Sequence, residues 1–321
     1  MLRKMLVILF VVALLVPMVA MPAMAQEPKK PNPDDVYYWI TQNPEVSFYV
    51  EGKNGWFSAA KYWGVPEKNA KFVGVPAGDV AGQVALMEQA IVDPNCAGIM
   101  QYATDQAASE PVLRKAMEKG ITVINGNFDT EDKTARTAFI GTANTFLGET
   151  AARMINKALD GKGKVGIISF IQQFVHQQRM EGCKTGLKAY PGLELVGTAA
   201  TDGTPKGAYD ATTAFVQAHP DVNLLWGSDG GSYGIYQAIE ALGLQDKIKV
   251  VGTDRPVEML ELIKAKKMLG TIAQDTTTEE FLSFSYLFLR RNNILTNLPD
   301  TTITNMVVID QNNIDQYYTG K

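Results

Sequence analysis

The sequence predicts an α/β fold in which two lobes, each a doubly wound parallel β-sheet covered by helices, are joined by a three-segment hinge. Apolar strand patterns alternate with helical patterns along nearly the whole chain, which is typical of parallel sheets with helices on both faces. About ten strands can be distinguished by their pattern, which is too many for one ordinary sheet. The chain of 321 residues is also longer than one compact core requires, so we expect two lobes.

The first 25 residues predict a signal peptide that is removed on export. Arg3 and Lys4 precede an apolar run, Met5–Val19, which is followed by a small-residue cleavage pattern that ends at Ala25. The apolar run is about 15 residues long, whereas a membrane-spanning helix needs about 20. We therefore expect cleavage after Ala25 and a periplasmic location for the mature protein.

Residues 26–45 predict an N-terminal extension. It starts with a leader rich in Pro and Lys, and Asp34 is placed to cap a short helix over Asp35–Gln42. The strands predicted after it are Val46–Val50, Ala97–Gln101, Ile121–Ile124, Lys164–Ser169, Leu193–Thr198, Leu224–Gly227, Ile248–Gly252, Leu269–Ala273 and Thr302–Val308. The helices predicted between them are Ala81–Val92, Glu110–Lys119, Thr145–Leu159, Gln177–Ala189, Pro205–Ala218, Gly231–Leu242, Pro256–Lys267 and Thr277–Asn292.

The chain is expected to pass between the lobes three times. The passages are predicted near Gly141–Asn144, Gln274–Thr277 and Leu298–Thr301. Lobe 1 would then contain residues 46–142 and 275–299, and lobe 2 would contain residues 143–274 and 300–321.

Composition and motifs argue against several functions. Removal of the signal peptide changes the formal net charge from −4 to −6, because it takes away two basic and no acidic residues, whereas nucleic-acid binders carry basic surfaces. Cys96 and Cys183 are too few for a disulfide framework, and two histidines are too few for a His-based metal cluster. No nucleophile elbow, phosphate-binding loop or zinc-protease motif occurs. We therefore expect no catalytic residue, metal, cofactor or nucleic-acid partner.

Residues 248–275 form the most informative segment of the chain. An apolar strand, Ile248–Gly252, brings Asp254 to its carboxyl end, and after a helix a second strand, Leu269–Ala273, ends at Gln274. In open α/β sheets, ligands bind in the crevice beyond the carboxyl ends of the strands. Asp254 and Gln274 therefore predict a site for a polar small molecule.

Polar and aromatic side chains follow the other predicted strands in the same way. Amides, carboxylates and a guanidinium can bond to sugar hydroxyls, which both donate and accept, and aromatic rings can cover the apolar C–H faces of a sugar ring. Several of these polar residues also suit helix caps, and the two tryptophans also suit an apolar core. The predicted ligand-binding residues are Asn54, Trp56, Phe57, Tyr102, Asp105, Asn127, Phe128, Gln173, Arg179, Trp226, Ser228, Asp229, Asp254 and Gln274.

Three segments of the chain resemble the type I periplasmic binding proteins of sugar ABC importers, the ribose-, galactose- and xylose-binding group. They are the strand-Asp, helix, strand-Gln pattern of residues 248–275, the motif Arg179-Met180-Glu181-Gly182, and the segment Leu224–Gly234. The resemblance covers nearly all of the mature chain, and it implies that Asp254 and Gln274 bond sugar hydroxyls.

The same resemblance places Asn54 and the pair Trp56-Phe57 at the polar and aromatic positions after the first strand. Two positions depart from the family pattern. Asn127-Phe128 stands where ribose binders usually have Asp-Arg, and Ser228 stands where many members have Asn or Asp. These departures leave the identity of the sugar open.

The predicted function is therefore an exported solute-binding receptor. We expect it to act as a monomer that captures a monosaccharide or related polyol between its lobes and delivers it to the permease of an ABC importer. A non-sugar ligand such as a signalling furanone fits the same fold, and a sensor that feeds a chemoreceptor differs only in its partner. A secreted α/β enzyme is the alternative from a different class.

Overall fold

The computed structural model describes residues 27–318 except 43, 46, 77 and 104. The predicted signal peptide, residues 1–25, lies outside the described residues. Within the described range, no helix combines the length and the hydropathy that crossing a bilayer requires.

A six-stranded β-sheet forms lobe 1. Its strands are β1 (Val36–Gln42), β2 (Ala70–Val75), β3 (Cys96–Gln101), β4 (Thr122–Gly126), β5 (Ala138–Thr142) and β11 (Thr301–Thr304). They lie in the order β11-β5-β4-β3-β1-β2, and neighbouring strands are parallel. Strands β3, β4 and β5 are buried along their whole length, as expected for a parallel sheet covered on both faces.

A second six-stranded sheet forms lobe 2. Its strands are β6 (Gly163–Ser169), β7 (Leu193–Ala200), β8 (Leu224–Gly227), β9 (Lys249–Thr253), β10 (Gly270–Gln274) and β12 (Met306–Asp310). They lie in the order β12-β10-β9-β8-β6-β7, so the inner order of lobe 1 is repeated. Only β12, among the strands described, pairs antiparallel to its neighbour. The predicted fold class is confirmed.

Helices cover the faces of both sheets. They are α1 (Ser47–Tyr62), α2 (Val80–Val92), α3 (Gln106–Glu118), α4 (Asn144–Leu159), α5 (Phe174–Leu187), α6 (Pro205–Ala218), α7 (Tyr233–Ala241), α8 (Val257–Lys264) and α9 (Thr276–Arg291). Four of them begin with a side-chain cap. Asp79, Asp105, Thr204 and Asp275 each accept a hydrogen bond from the backbone N–H three residues later, at 2.8–3.2 Å.

The beginning of lobe 1 differs from the prediction. The segment Asp35–Gln42, predicted as a short helix, contains β1. In the segment Val46–Val50, predicted as the first strand, residues 47–50 form the start of α1. Aromatic and β-branched residues in 36–42 fit a strand. The apolar residues that come after position 46 have a helical spacing instead. Tyr49, Trp56 and Ala60 share the buried face of α1. The predicted extension therefore contains a strand inside the sheet.

The end of the chain also differs. The single strand predicted over Thr302–Val308 is interrupted at Asn305, so β11 belongs to lobe 1 and β12 to lobe 2. The other two passages between the lobes lie at Ala143, between β5 and α4, and at Asp275, between β10 and α9. Strands β2 and β5 were not predicted.

Glycines let two helix pairs approach closely. A Cβ atom added at Gly55 of α1 would lie 2.0 Å from the carbonyl oxygen of Thr277 on α9. A Cβ atom added at Gly148 of α4 would lie 1.9 Å from the carbonyl oxygen of Arg179 on α5. No side chain fits at such distances, so the start of α9 is held against α1 and Arg179 is held against α4.

Candidate functional site

Asp254 and Gln274 form one unit at the carboxyl ends of the neighbouring strands β9 and β10. The Gln274 amide Nε2 donates to Asp254 Oδ1 at 2.9 Å. Asp254 adopts a left-handed backbone with φ 66°, its N–H donates to the Ile272 carbonyl at 2.9 Å, and its own carbonyl accepts from Thr271 Oγ1 at 2.6 Å. Strand β10 therefore holds the backbone of Asp254, and the Gln274 amide holds one oxygen of its carboxylate.

Arg179 is a buried guanidinium held by two acceptors. Its side chain is 1 % exposed, its Nε donates to Asn144 Oδ1 at 2.8 Å, and its Nη1 donates to the Ser228 carbonyl at 3.0 Å. The Ser228 carbonyl also lies 3.0 Å from His176 Nδ1. These contacts join α5 to the first passage between the lobes and to the end of β8.

Acidic groups surround this guanidinium. Burial lowers the pKa of Arg179, and the nearby carboxyls of Asp254, Asp229 and Glu279 act in the opposite direction. Burial also raises the pKa of Asp229 to about 7, although Asp229 Oδ1 accepts from the Gly231 N–H at 2.9 Å. The cation and its three acidic neighbours come from α5, from the ends of β8 and β9, and from α9.

Lobe 1 contributes residues that follow β3 and β4. Asn127 has φ 53°, and its N–H donates to the Ile140 carbonyl at 3.0 Å. Asn127 and Asp254 are two of the five non-glycine residues with positive φ among those described, and Asn and Asp tolerate this conformation better than other non-glycine residues. Backbone strain of this kind clusters at ligand-binding sites. Phe128 packs beside Tyr102, with ring centroids 6.1 Å apart.

Two glutamates on α9 belong to the same region, and the sequence analysis missed them. Glu279 and Glu280 are both fully buried, and the Tyr102 hydroxyl donates to both carboxyls, at 2.7 Å to Glu279 Oε1. Burial raises the pKa of Glu279 to about 8, and the hydrogen bond from Tyr102 opposes this shift. Burial and the charge of Glu279 raise the pKa of Glu280. The sequence did contain a signal for these two glutamates, because they lie about one helical turn after the passage between the lobes at Asp275.

The stability of the ligand-free protein is expected to fall as pH rises from about 5 to about 8. The pKa values of Glu279 (about 8) and Asp229 (about 7) are raised above their unfolded values. The folded state therefore keeps protons that the unfolded state has already released, and the free energy of unfolding decreases until these groups ionise. Urea denaturation at several pH values measures the slope.

Glu279→Gln should make this slope smaller, and Glu118→Gln is the matched control because Glu118 is exposed at the end of α3. A wild-type stability that is flat or rising over this range would contradict the assignment. Equal slopes in the two variants would also contradict it.

A small cavity lies where the two lobes meet. Its lining residues are Phe48, Glu51, Asp254, Arg255, Pro256, Gln274 and Thr276. Its volume of about 10 Å³ is close to the room that one water molecule needs. An ion pair between Arg255 Nε of lobe 2 and Glu51 Oε2 of lobe 1, at 2.7 Å, lies at this cavity. A ligand larger than a water molecule therefore needs the lobes to separate before it can enter here.

A larger groove of about 430 Å³ lies near the first passage between the lobes. It includes Asn127 and Thr142 of lobe 1 and Phe174, Val175 and Gln178 of α5. Val175 also packs into the main apolar cluster of lobe 1, so the two lobes are in direct contact on this side.

Buried oxygen atoms without a hydrogen-bond partner concentrate in this region. Within the described part of the chain, they include Gln101 Oε1, Asn127 Oδ1, Gln274 Oε1, Glu279 Oε2 and Glu280 Oε2. Buried polar groups in folded proteins are normally paired, and an unpaired one costs about 1–3 kcal/mol. Oxygens left unpaired around a space between two lobes are suited to bond a ligand.

Trp56 and Trp226 are not part of this region, so the prediction that they line the cleft is wrong. Trp56 lies on α1 inside the apolar core of lobe 1, with ring centroids 5.8 Å from Trp39 and 4.9 Å from Phe284. Trp226 lies in β8 inside a core cluster of lobe 2, where its Nε1 donates to Thr253 Oγ1 at 3.2 Å. For Trp56, the error follows from the strand misplaced at the start of α1.

Four other predicted residues lie away from the cavity. Asn54 and Phe57 are on α1 and line a separate groove of about 530 Å³ on lobe 1. Asp105 is exposed and caps α3. Gln173 stands at the N-terminal cap position of α5 without a capping bond. The structure thus brings together Tyr102, Asn127, Phe128, Arg179, Ser228, Asp229, Asp254 and Gln274, and it adds Asn144, Glu51, Glu279 and Glu280.

The comparisons with known proteins agree with this architecture. A D-ribose/D-allose-binding protein of Pseudomonas aeruginosa is 29 % identical over 203 residues, which cover 61 % of this chain and 63 % of that protein. The chain thus spans less than two thirds of the length of this curated relative.

Solved structures extend the likeness to most of the chain. AraP, an arabinose-binding protein from Geobacillus stearothermophilus, is 26 % identical with a TM-score of 0.76, and the match covers 88 % of this chain and 99 % of that one. A solute-binding protein from Actinobacillus succinogenes with bound D-allose matches in fold, with a TM-score of 0.80 at 22 % identity, covering 88 % of this chain and 100 % of that one.

The family model described as "Periplasmic binding protein domain" matches residues 37–288. This range begins at β1 and ends within α9, so it includes most of both sheets and the first two passages between the lobes. It covers well over half of the chain, and the protein therefore belongs to the periplasmic binding protein domain family.

Proposed function

We propose that the protein is an exported solute-binding receptor that captures a monosaccharide or related polyol between its lobes and delivers it to an ABC importer. One observation carries the proposal. Hydrogen-bonding side chains from the carboxyl ends of both sheets converge where the lobes meet, and several of their oxygens have no partner among the described residues. Ring hydroxyls supply the missing donors.

The proposed ligand-binding residues come from both lobes. Lobe 2 supplies the Asp254–Gln274 unit and Arg179, and lobe 1 supplies Asn127 and, through α9, Glu279. A ligand that contacts both groups does so only when the lobes are together, so it shifts the open–closed equilibrium towards the closed form. Closure also creates a composite surface that an importer permease can recognise. In this proposal no bond of the ligand is made or broken.

The names of the relatives support a sugar as the ligand class. The Pseudomonas relative is named for D-ribose and D-allose, and AraP is named for arabinose. The Pseudomonas protein is similar to this chain in sequence, and AraP is similar in sequence and in fold. The periplasm is the location that this role requires, and the predicted signal peptide is consistent with it.

A thermal-shift panel tests the proposal. Ribose, allose, arabinose, xylose, galactose, fructose and a set of hexitols are added separately to the mature protein. A ligand that binds only the folded state adds about 2.7 kcal/mol of stability when its concentration is about 100 times Kd. At least one member should therefore raise the melting temperature by several degrees, with calorimetry confirming one site per chain.

Chromatography of the sugars before and after incubation distinguishes a receptor from an enzyme. Recovery of the unchanged sugar supports a receptor. Conversion of the bound sugar into a product would contradict the proposal, as would the absence of any shift across the whole panel.

A further inference from the structure

We propose that Arg255 and Glu51 form a latch that holds the two lobes together beside the ligand site and slows the release of the ligand. The inference rests on the proposed function and adds a control of release to it. It follows from the position of this ion pair at the cavity, from the way each partner is anchored in its own lobe, and from the charges around Glu51.

The Arg255–Glu51 ion pair joins the lobes at the cavity. Arg255 Nε of lobe 2 donates to Glu51 Oε2 of lobe 1 at 2.7 Å. Among the ion pairs of the described residues, this one connects the two lobes, whereas each of the others lies within a single lobe. Both side chains line the small cavity that Asp254 and Gln274 also line. Separation of the lobes at this cavity therefore breaks the pair.

The arginine is anchored in lobe 2. Arg255 directly follows Asp254, whose backbone N–H and carbonyl are both bonded to β10. Pro256 comes next and precedes α8, and a proline restricts the residue before it to extended conformations. The guanidinium therefore projects from a fixed backbone, which lowers the conformational entropy that is lost when the pair forms.

The glutamate is anchored in lobe 1. Glu51 lies on α1, one turn before Gly55, where α9 passes so close that no side chain fits. The Glu51 carbonyl accepts from Thr277 Oγ1 of α9 at 3.4 Å. Since both partners belong to segments that are fixed within their own lobes, the attraction between them acts on the lobes as whole bodies.

The surroundings of the pair favour a larger effect than an exposed ion pair has. The side chains of Arg255 and Glu51 are only 22 % and 31 % exposed, so their attraction is less screened than at the open surface. Burial raises the pKa of Glu51, Arg255 opposes this shift, and the charges of Asp254 and Asp275 reinforce it. Without Arg255, Glu51 would face two other acidic groups, and repulsion from Asp254 across the cavity would favour open lobes.

A latch at this position controls exchange without touching the ligand. The cavity has room for about one water molecule, so a larger ligand leaves through a form in which the lobes have parted. An interaction that exists only in the closed form makes that form more populated and makes release slower. The lobes also touch through Val175, which packs into the apolar cluster of lobe 1. Salt screens charges and not this apolar contact, so it acts selectively on the latch.

Stopped-flow kinetics of ligand release tests the latch. The probe is D-ribose, D-allose or L-arabinose, whichever binds the wild type most tightly. Raising NaCl from about 0.01 M to about 1 M shortens the Debye length from about 30 Å to about 3 Å, and it should speed release from the wild type about two- to fivefold. Arg255→Gln and Glu51→Gln should speed release at low salt by at least this factor, with Arg255→Gln the faster, and should abolish the increase with salt. The association rate should not fall in either variant.

A charge reversal and a control variant separate the latch from other roles. Glu51→Arg combined with Arg255→Glu restores an ion pair of the opposite sense, so it should return release towards the wild-type rate. Lys267→Gln breaks an ion pair of 2.8 Å inside lobe 2 and should leave release unchanged. Small-angle X-ray scattering of the ligand-free proteins needs no sugar. Arg255→Gln should have a larger radius of gyration than the wild type and Lys267→Gln.

Each other outcome has a definite meaning. Release that is independent of salt in the wild type and unchanged in both single variants would overturn the latch and leave the proposed function standing. Faster release that the charge reversal does not restore, with unchanged scattering, would make the pair a ligand contact and would also overturn the latch. If no sugar binds, the proposed function fails, and the scattering still decides whether the pair holds the lobes together. The salt dependence of the wild type needs no variant, so a misfolded variant would not prevent a decision.

Discussion

Replacing Trp56 by alanine is expected to lower the free energy of unfolding by about 3–5 kcal/mol. The indole is 0 % exposed and packs against Trp39 and Phe284, so its removal leaves a cavity between α1, β1 and α9. A whole domain is typically stable by about 5–15 kcal/mol, so this loss is a large fraction of the total. Urea denaturation of the ligand-free protein measures it.

Tyr62→Ala is the matched control for this substitution. Tyr62 is also an aromatic residue of α1, but it is 71 % exposed, so its removal should change stability by no more than about 0.5 kcal/mol. Below its unfolding transition, the Trp56 variant should bind ligand with nearly wild-type affinity, because Trp56 does not line the space between the lobes. Equal denaturation midpoints in the two variants would show that Trp56 is not a core residue.

Asp254→Asn is expected to weaken ligand binding about 10- to 150-fold, which corresponds to about 1.5–3 kcal/mol for hydrogen bonds to a charged group. Asparagine tolerates the left-handed backbone at φ 66°, so the substitution removes the charge without straining the chain. Alanine would be less informative, because it combines loss of the carboxylate with backbone strain. The melting temperature of the ligand-free variant should stay within a few degrees of wild type.

Calorimetry with the sugar identified by the thermal-shift panel makes this measurement. Asp246→Asn, at an exposed position in the same lobe, makes the same chemical change away from the site and should leave the affinity unaltered. An unchanged affinity in Asp254→Asn would remove Asp254 from the site and would undermine the geometry proposed for lobe 2.

The sequence predicted the fold well where the patterns are local. Alternating strands and helices are set by nearby residues, and they were correctly assigned from β3 to α3 and from α4 to α9 apart from their exact ends. The first strand was misplaced because an aromatic run suits a strand and a buried helix face equally well. Burial of Trp39 and Trp56 against each other separates the two cases, and this contact between different elements is not visible in the sequence.

The candidate site was predictable in lobe 2 and less so in lobe 1. Asp254 directly follows the apolar strand β9 and Gln274 is the last residue of β10, so their position at the sheet edge is a local property. Glu279 and Glu280 are part of a long helix, where charged residues normally face solvent. Their burial depends on Gly55, which allows α9 to approach α1, and on Tyr102, which follows the distant strand β3.

The single residue between β11 and β12 limits how the molecule can move. Asn305 connects β11, which is hydrogen-bonded to β5, with β12, which is hydrogen-bonded to β10. Neither strand can shift without breaking hydrogen bonds within its own sheet. For the proposed receptor, we therefore expect opening to be a rotation taken up by a few backbone torsions rather than a translation of one lobe away from the other. Asn305 shares this restraint with Ala143 and Asp275, which are also single residues between elements of different lobes.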